Sequence, residues 1–389
     1  MSFTLPSSTD HRALRDAVSA LCATFDSAYW RKVDEERGYP EAFAKALTEA
    51  GWLAALIPEA YGGSGLGLTE ASIIMEEINR SGGNAGAVHG QMYNMSTLLR
   101  AGSDAQKQFY LPKIASGELR LQSMAVTEPS TGSDTTKLKT RAVKKGDRYV
   151  INGQKVWTSR VQHSDLMIVL ARTTPIEEVK KKSDGLSIFL LDVAEALKSG
   201  MRVEPIRNMV NHETNTVFFD DVEVLAENLI GEEGKGFKTF LAGLNAERVL
   251  IAAECIGDGR WFIDRATRYA KERVVFDRPI GQNQGVQFPI AKSYIDVEAA
   301  DLMRFKAAAL ADAGEEFGKE ANMAKLLAAD ASFAAANMCL QTHGGFGFAV
   351  EYDVERKFRE TRLYQVAPIS TNLILAYTAE HVLGLPRSY

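Results

Sequence analysis

Cysteine is scarce: Cys22, Cys255 and Cys339 are the only three in 389 residues, and no CxxC pair occurs. That argues against a disulfide framework or a thiolate zinc site, and predicts reduced core thiols in a cytoplasmic protein. The six histidines form no i,i+4 pair and no HExxH, so no metal site is expected. Basic charge is not in surplus either. Lys and Arg total 45 against 50 Asp and Glu, a formal charge of −5, with no basic run. Such a chain is a poor partner for nucleic acid or an anionic membrane. Apolar runs such as 166–171 are too short to span a bilayer. The opening MSFTLPSSTD lacks both a basic n-region and an apolar core, so no secretory signal is expected there. A GxSxG elbow is absent, which leaves serine-based hydrolysis without support. With 46% hydrophobic and 24% charged residues, the composition is that of a folded chain.

What is present divides into three blocks by periodicity, with no internal repeat. Residues 1–120 carry apolar positions at helical spacing over 11–25, 41–56, 69–82 and 104–114, with Ser103 as a candidate N-cap. Residues 121–232 change pattern and predict a β domain. RYVINGQKVWT (148–158) predicts a hairpin around its Asn-Gly pair, and 166–171, 186–193 and 216–224 read as strands. From 233 to 389 the helical period returns: 237–277 has no proline, and 291–340 is rich in alanine. These predict the long helices of a bundle. The expected fold class is α+β, ordered helical, β, then helical bundle.

Two glycine clusters invite a nucleotide-loop reading and fail it. GGSGLG (62–67) follows no strand, and its nearest acids, Glu76 and Glu77, arrive too early. GEEGKGFK (231–238) lacks the GK[ST] ending, and Glu232 and Glu233 would repel phosphate. Both predict turns. AVTEPSTGSD (125–134) is different, because it gathers Thr127, Ser130, Thr131 and Ser133 with a glycine around one proline. Such a loop can aim hydroxyl and backbone donors at a heterocycle or phosphate, or be an ordinary solvated loop. QKVWTS (154–159) follows, with Trp157 either stacking on a flat ligand or packed in the core. Further on, Arg273 in KERVVF offers a planar fork for phosphate, and QTHGGFGF (341–348) offers close backbone approach.

Taken together and in order, these segments resemble the acyl-CoA dehydrogenase family. IPEAYGGSGLG (57–67), YLPKIASGE (110–118), AVTEPSTGSD, INGQKVWTS (151–159), KERVVFDRPIGQNQ (271–284) and QTHGGFGF carry the likeness, which covers essentially the whole chain. The resemblance implies the acyl-CoA dehydrogenase fold, FAD between the β domain and the C-terminal bundle, and a homotetramer. It implies an acyl-CoA substrate and electron transfer to an electron-transferring flavoprotein. It places Thr127 on the flavin ring, Gly132 and Ser133 at the pyrophosphate, and Trp157 and Ser159 against the isoalloxazine. It also puts Met124, Val126, Ser370 and Asn372 at the cofactor, Met124 standing where relatives often have an aromatic. Arg273, Phe276, Gln284, Gln341, Gly344 and Gly345 are implied to reach the FAD of a neighbouring subunit. Ser133, Leu244 and Arg248 are the implied substrate contacts.

Removing the α-proton of a thioester needs a carboxylate base and donors for the enolate oxygen. Many relatives carry the base as a Glu in a turn near the C-terminus; the matching position here is Pro368, in VAPISTN. Relatives resembling isovaleryl-CoA and long-chain dehydrogenases place it on a bundle helix just before an arginine. LNAERVL has that pattern, so the resemblance makes Glu247 the base. Glu247 falls in an apolar stripe with Phe237, Phe240, Leu244 and Ile251, where burial disfavours the charged form. An ion-paired glutamate at the stripe's edge is the competing reading, and Glu254 is expected to be structural. Relatives also use the turn's backbone N–H to hold the thioester oxygen, and proline has none. That loss costs about 3–4 kcal/mol unless replaced, and a one-residue shift in register would present Ala367 or Ile369 instead. Relatives that act on dicarboxylyl-CoA carry an arginine near the segment GGNAGAVHG; here Ala85 and its neighbours are small and uncharged, so the resemblance implies that the substrate is not of the glutaryl type. Two alternatives remain at this stage: a flavin monooxygenase or oxidase on the same fold, and a non-catalytic partner subunit of a mixed tetramer.

Overall fold

The computed structural model describes residues 11–387; the opening segment read for a targeting signal lies outside them. Six helices come first: α1 (Arg12–Cys22), α2 (Ser27–Glu35), α3 (Glu41–Glu49), α4 (Leu68–Arg80), α5 (His89–Ala101) and α6 (Asp104–Ser116). The strands follow as β1 (Ser123–Ala125), β2 (Arg141–Lys145), β3 (Arg148–Ser159), β4 (Leu166–Arg172) and β5 (Leu186–Asp192). The short α7 (Val193–Lys198) then precedes β6 (Met201–Pro205), β7 (Thr214–Leu225) and β8 (Leu229–Ile230). Helices return with α8 (Gly236–Glu272), α9 (Gln284–Asp312), α10 (Gly318–His343), α11 (Val354–Arg362) and α12 (Thr371–Tyr377). A two-stranded ribbon, β9 (Val274–Val275) with β10 (Arg278–Pro279), separates α8 from α9.

The chain folds as two units. One comprises residues 37–66 and 87–244; the other comprises the remainder, including the bundle helices. In the first unit an eight-stranded sheet runs in the order β6-β7-β3-β2-β4-β5-β8, with β1 pairing parallel to β4. One face buries Tyr149, Ile151, Phe189 and Val217, and the other buries Ile168, Leu170, Ile188 and Leu190 beneath α5 and α6 side chains such as Leu98 and Leu111. Strands covered on both sides read as continuous apolar runs, which is why 166–171 has no alternation. Ser103 caps α6 through a capping box with Gln106.

The expected hairpin at Asn152-Gly153 is not there: β3 is one strand of 12 residues that passes straight through the pair. Its pairing passes from Ile151↔Val222 to Gly153↔Phe219, so the extra residue belongs to β7, which bulges opposite Asn152. Gly153 has φ 153°, and a Cβ there would lie 2.5 Å from the Thr140 hydroxyl, so glycine is required. Asn152 is used sideways instead, donating from Nδ2 to Asp221 Oδ1 at 2.9 Å. The hairpin in this region joins β2 to β3. Likewise the helix expected over 41–56 stops at Glu49, because Gly51 turns left-handed at φ 78°.

In the second unit α1, α4, α8 and α9 meet around Glu76. This fully buried carboxylate accepts from Arg304 at 2.7 Å and Arg15 at 2.9 Å, and also pairs with Arg260. Burial opposes its ionisation, but the three guanidinium groups outweigh that and hold it near 2. Along α8, residues 246–259 are buried on every side, as expected of a central bundle helix.

Candidate active site

The hydroxyl-rich loop leaves β1 and is fastened to β3 from beneath. Lys155 Nζ donates to Val126 O at 2.9 Å and to Glu128 Oε1 at 3.0 Å. The Val156 N–H donates to Thr127 O at 2.8 Å. Glu128 also accepts the backbone N–H of Lys139 at 2.7 Å and of Thr140 at 2.8 Å. Burial works against its ionisation, yet Lys155 and these N–H groups hold the carboxyl below the usual range. The loop is therefore a rigid platform. Beyond it Gly132 and Ser133 are exposed, and a Cβ on Gly132 would meet nothing within 4 Å.

Trp157 is not core. It lies where β3 itself bulges, between Lys155 and Thr158, with φ 61°, and its side chain stands 59% exposed. An indole held outward at a strained position is unfavourable unless something covers it. The Ser159 hydroxyl is held by Asn211 Nδ2 at 2.9 Å and Thr214 Oγ1 at 3.0 Å. Met124 and Val126 are half-buried against the sheet core, as is Leu244 at the end of the first unit.

In the second unit Glu247 lies on α8 with only 4% exposure, followed by Arg248, also buried. Arg248 donates to Asn245 Oδ1, and its Nε has no hydrogen-bond partner among the described residues. Burial pulls this guanidinium down, against the attraction of Glu247. Two turns on, Glu254 accepts from the Tyr364 hydroxyl at 2.9 Å, and the same hydroxyl accepts from Asn79 Nδ2 at 3.3 Å. That satisfied triad gives Glu254 a place in the packing.

The C-terminal turn joins α11 to α12. The Ala367–Pro368 bond is cis, Ser370 caps α12, and Asn372 is exposed in its first turn. Buried Lys325, from α10, donates to Ile369 O at 2.7 Å. Burial lowers this ammonium to about 8. Sequence reasoning passed over both Lys155 and Lys325; the available signal was a lone lysine at an inward position of an apolar strand or an Ala-rich helix.

A third group is exposed together in the same unit. Arg273, Phe276, Gln284, Gln341, Gly344 and Gly345 all face solvent, Phe276 at 93%. The Arg273 guanidinium lies 5.7 Å from the Phe346 ring centroid, linking the end of α8 to the segment after α10. Phe276 has φ 52°, and a Cβ on Gly344 or Gly345 would meet nothing within 4 Å. Within the first unit, the open Gly132, the outward indole and the fixed hydroxyl loop suit a flat heterocycle carrying a pyrophosphate, so these residues fit FAD.

Residues 8–118, 123–222 and 234–379 match the N-terminal, middle and C-terminal domains of acyl-CoA dehydrogenases. The chain belongs to the acyl-CoA dehydrogenase family, and is thereby an FAD-dependent oxidoreductase. It is 37% identical over 388 residues to the acyl-CoA dehydrogenase FadE12 of Mycobacterium tuberculosis, covering 98% of each chain. It is 36% identical to a cyclohex-1-ene-1-carbonyl-CoA dehydrogenase of Syntrophus aciditrophicus, covering 86% of this chain and 80% of that one. A glutaryl-coenzyme A dehydrogenase solved with glutaryl-CoA superimposes with a TM-score of 0.90 at 31% identity, covering 100% of this chain and 98% of that one.

Proposed function

We propose that the chain dehydrogenates an acyl-CoA thioester between its α and β carbons, with Glu247 as the base. The observation that carries this reading is the exchange of positions: Glu247 is buried on α8 before Arg248, while the C-terminal turn has proline at 368. Glu247 takes the α-proton onto its carboxylate, and the electron pair of that C–H bond becomes the new double bond. FAD, when bound, would supply the hydride acceptor for the β-hydrogen, so that the product would be a 2-enoyl-CoA. Arg248, buried beside the base, offsets the negative charge that develops on the thioester. Thr127, Gly132, Ser133 and Trp157 hold the cofactor, with Met124, Val126, Ser159, Ser370 and Asn372 around it, and Ser133 and Leu244 contact the substrate.

Arg273, Phe276, Gln284, Gln341, Gly344 and Gly345 serve the cofactor of a neighbouring copy in a homotetramer. Supporting this, α9 exposes Phe288, Ile295 and Leu302 at 61, 62 and 55%, one every seven residues, a stripe that a second copy would cover. An electron-transferring flavoprotein is the electron acceptor. A base on the helix and small residues at Ala85 favour branched or longer monoacyl groups. The test is α-hydrogen exchange from D2O into a saturated acyl-CoA. Wild type and Glu254→Gln exchange and Glu247→Gln does not; exchange by Glu247→Gln would remove it as the base.

A further inference from the structure

The turn between α11 and α12 has lost a donor at Pro368, and its remaining donors can be followed one by one. The N–H groups of Val366 and Ala367 both end on Leu363 O, at 2.9 and 3.0 Å. Pro368 has no N–H. Those of Ile369 and Ser370 make no hydrogen bond to another described residue. The peptide that joins these two is fixed by Lys325, whose Nζ donates to Ile369 O at 2.7 Å from a side chain with 0% exposure. That peptide is trans, so its N–H points opposite to its carbonyl. Holding the carbonyl towards α10 turns the Ser370 N–H away from α10.

A buried ammonium is a costly way to hold one carbonyl, since water or a neutral amide would serve packing alone. Cys255, Glu247 and Arg248 face it from α8, and Asp330 from its own helix. Lys325 thus holds the turn that carries Pro368 while lying within the electrostatic reach of the carboxylate proposed as base.

We propose that Lys325 is a positioning residue for dehydrogenation: by fixing the Ile369 carbonyl it presents the Ser370 N–H of the same peptide to the thioester oxygen, replacing the donor absent at Pro368. This rests on the reading of Glu247 as base. Lys325 itself touches no reacting atom; the Ser370 N–H does.

The test uses FAD-loaded protein and a 3-thia acyl-CoA, which can lose its α-proton but, with sulfur at the β position, cannot lose hydride. Long-wavelength absorbance of the bound enolate is followed against pH in wild type, Lys325→Met and Glu247→Gln. Lys325→Met should raise the pH of half-conversion by at least one unit, a tenfold loss of enolate stabilisation, with FAD content unchanged. An unchanged midpoint in Lys325→Met, whatever its melting temperature, would overturn the proposal. Glu247→Gln keeps the two readings apart: enolate formation there as in wild type means the base is misassigned, independently of Lys325. Should Lys325→Met not fold, Pro368→Ala in the intact background decides. Restoring an N–H at 368 should lower the midpoint, and no change would show that the turn does not serve the thioester.

Discussion

Lys155 and Glu128 form an ion pair at 3.0 Å with side-chain exposures of 0 and 4%, directly beneath the loop that carries Thr127 and Gly132. Removing one partner leaves the other charge buried, which costs about 3–5 kcal/mol. Glu128→Ala should therefore lower the urea midpoint by a corresponding amount and release FAD on gel filtration. Lys155→Met with Glu128→Leu should recover much of the stability but not the FAD retention, because the loop has lost its fastening.

Glu76 makes acid sensitivity predictable. Its folded value near 2 lies below the ordinary carboxylate value, so its contribution is fully present above about 4.5. It is lost as pH falls from there towards 2. The melting-temperature gap between wild type and Glu76→Gln should be widest above pH 5 and narrow steadily on acidification. A gap independent of pH would contradict the assignment.

Helix packing in the second unit depends on Gly257. A Cβ there would lie 2.3 Å from Glu76 O and 2.9 Å from Asn79 Cβ, on α4. Gly257→Ala should destabilise by about 1–3 kcal/mol through overpacking, measured by thermal unfolding. Gly285→Ala, with nothing within 4 Å of the added carbon, is the neutral control.

Assembly should depend on the α9 stripe. Ile295→Asp places a charge in the middle of it, so sedimentation should show a smaller particle than wild type. If FAD is completed by a neighbouring copy, flavin content should fall with the particle mass.

Much of the fold was legible because periodicity reports burial directly. The bundle helices and the buried strands β4 and β5 follow from apolar spacing alone, though β5 ends at Asp192, one residue short of the expected run, and Ser103 does cap α6. Failures came where one glycine had two local uses. Asn152-Gly153 is a hairpin signal in isolation, but with Thr140 against Gly153 and Asp221 against Asn152 the pair runs straight through opposite a bulge of β7. α5 escaped notice because it is buried almost all round and lacks a polar face to set its period. At the site, the hydroxyl loop and outward Trp157 carry sequence signals, whereas Lys155 and Lys325 act through distant backbone carbonyls that no local pattern reveals.

The central claim is that Glu247 abstracts the α-proton of an acyl-CoA for FAD-dependent oxidation. Anaerobic titration of the FAD-loaded protein with a panel of acyl-CoAs, following flavin absorbance, tests it most directly. Wild type should bleach, most completely with branched or longer monoacyl thioesters. Glu247→Gln should bleach about 10²–10⁴-fold more slowly with the same FAD content. Equal bleaching by both proteins would remove Glu247 from the mechanism, and no bleaching of bound FAD by any thioester would contradict the dehydrogenase reading itself.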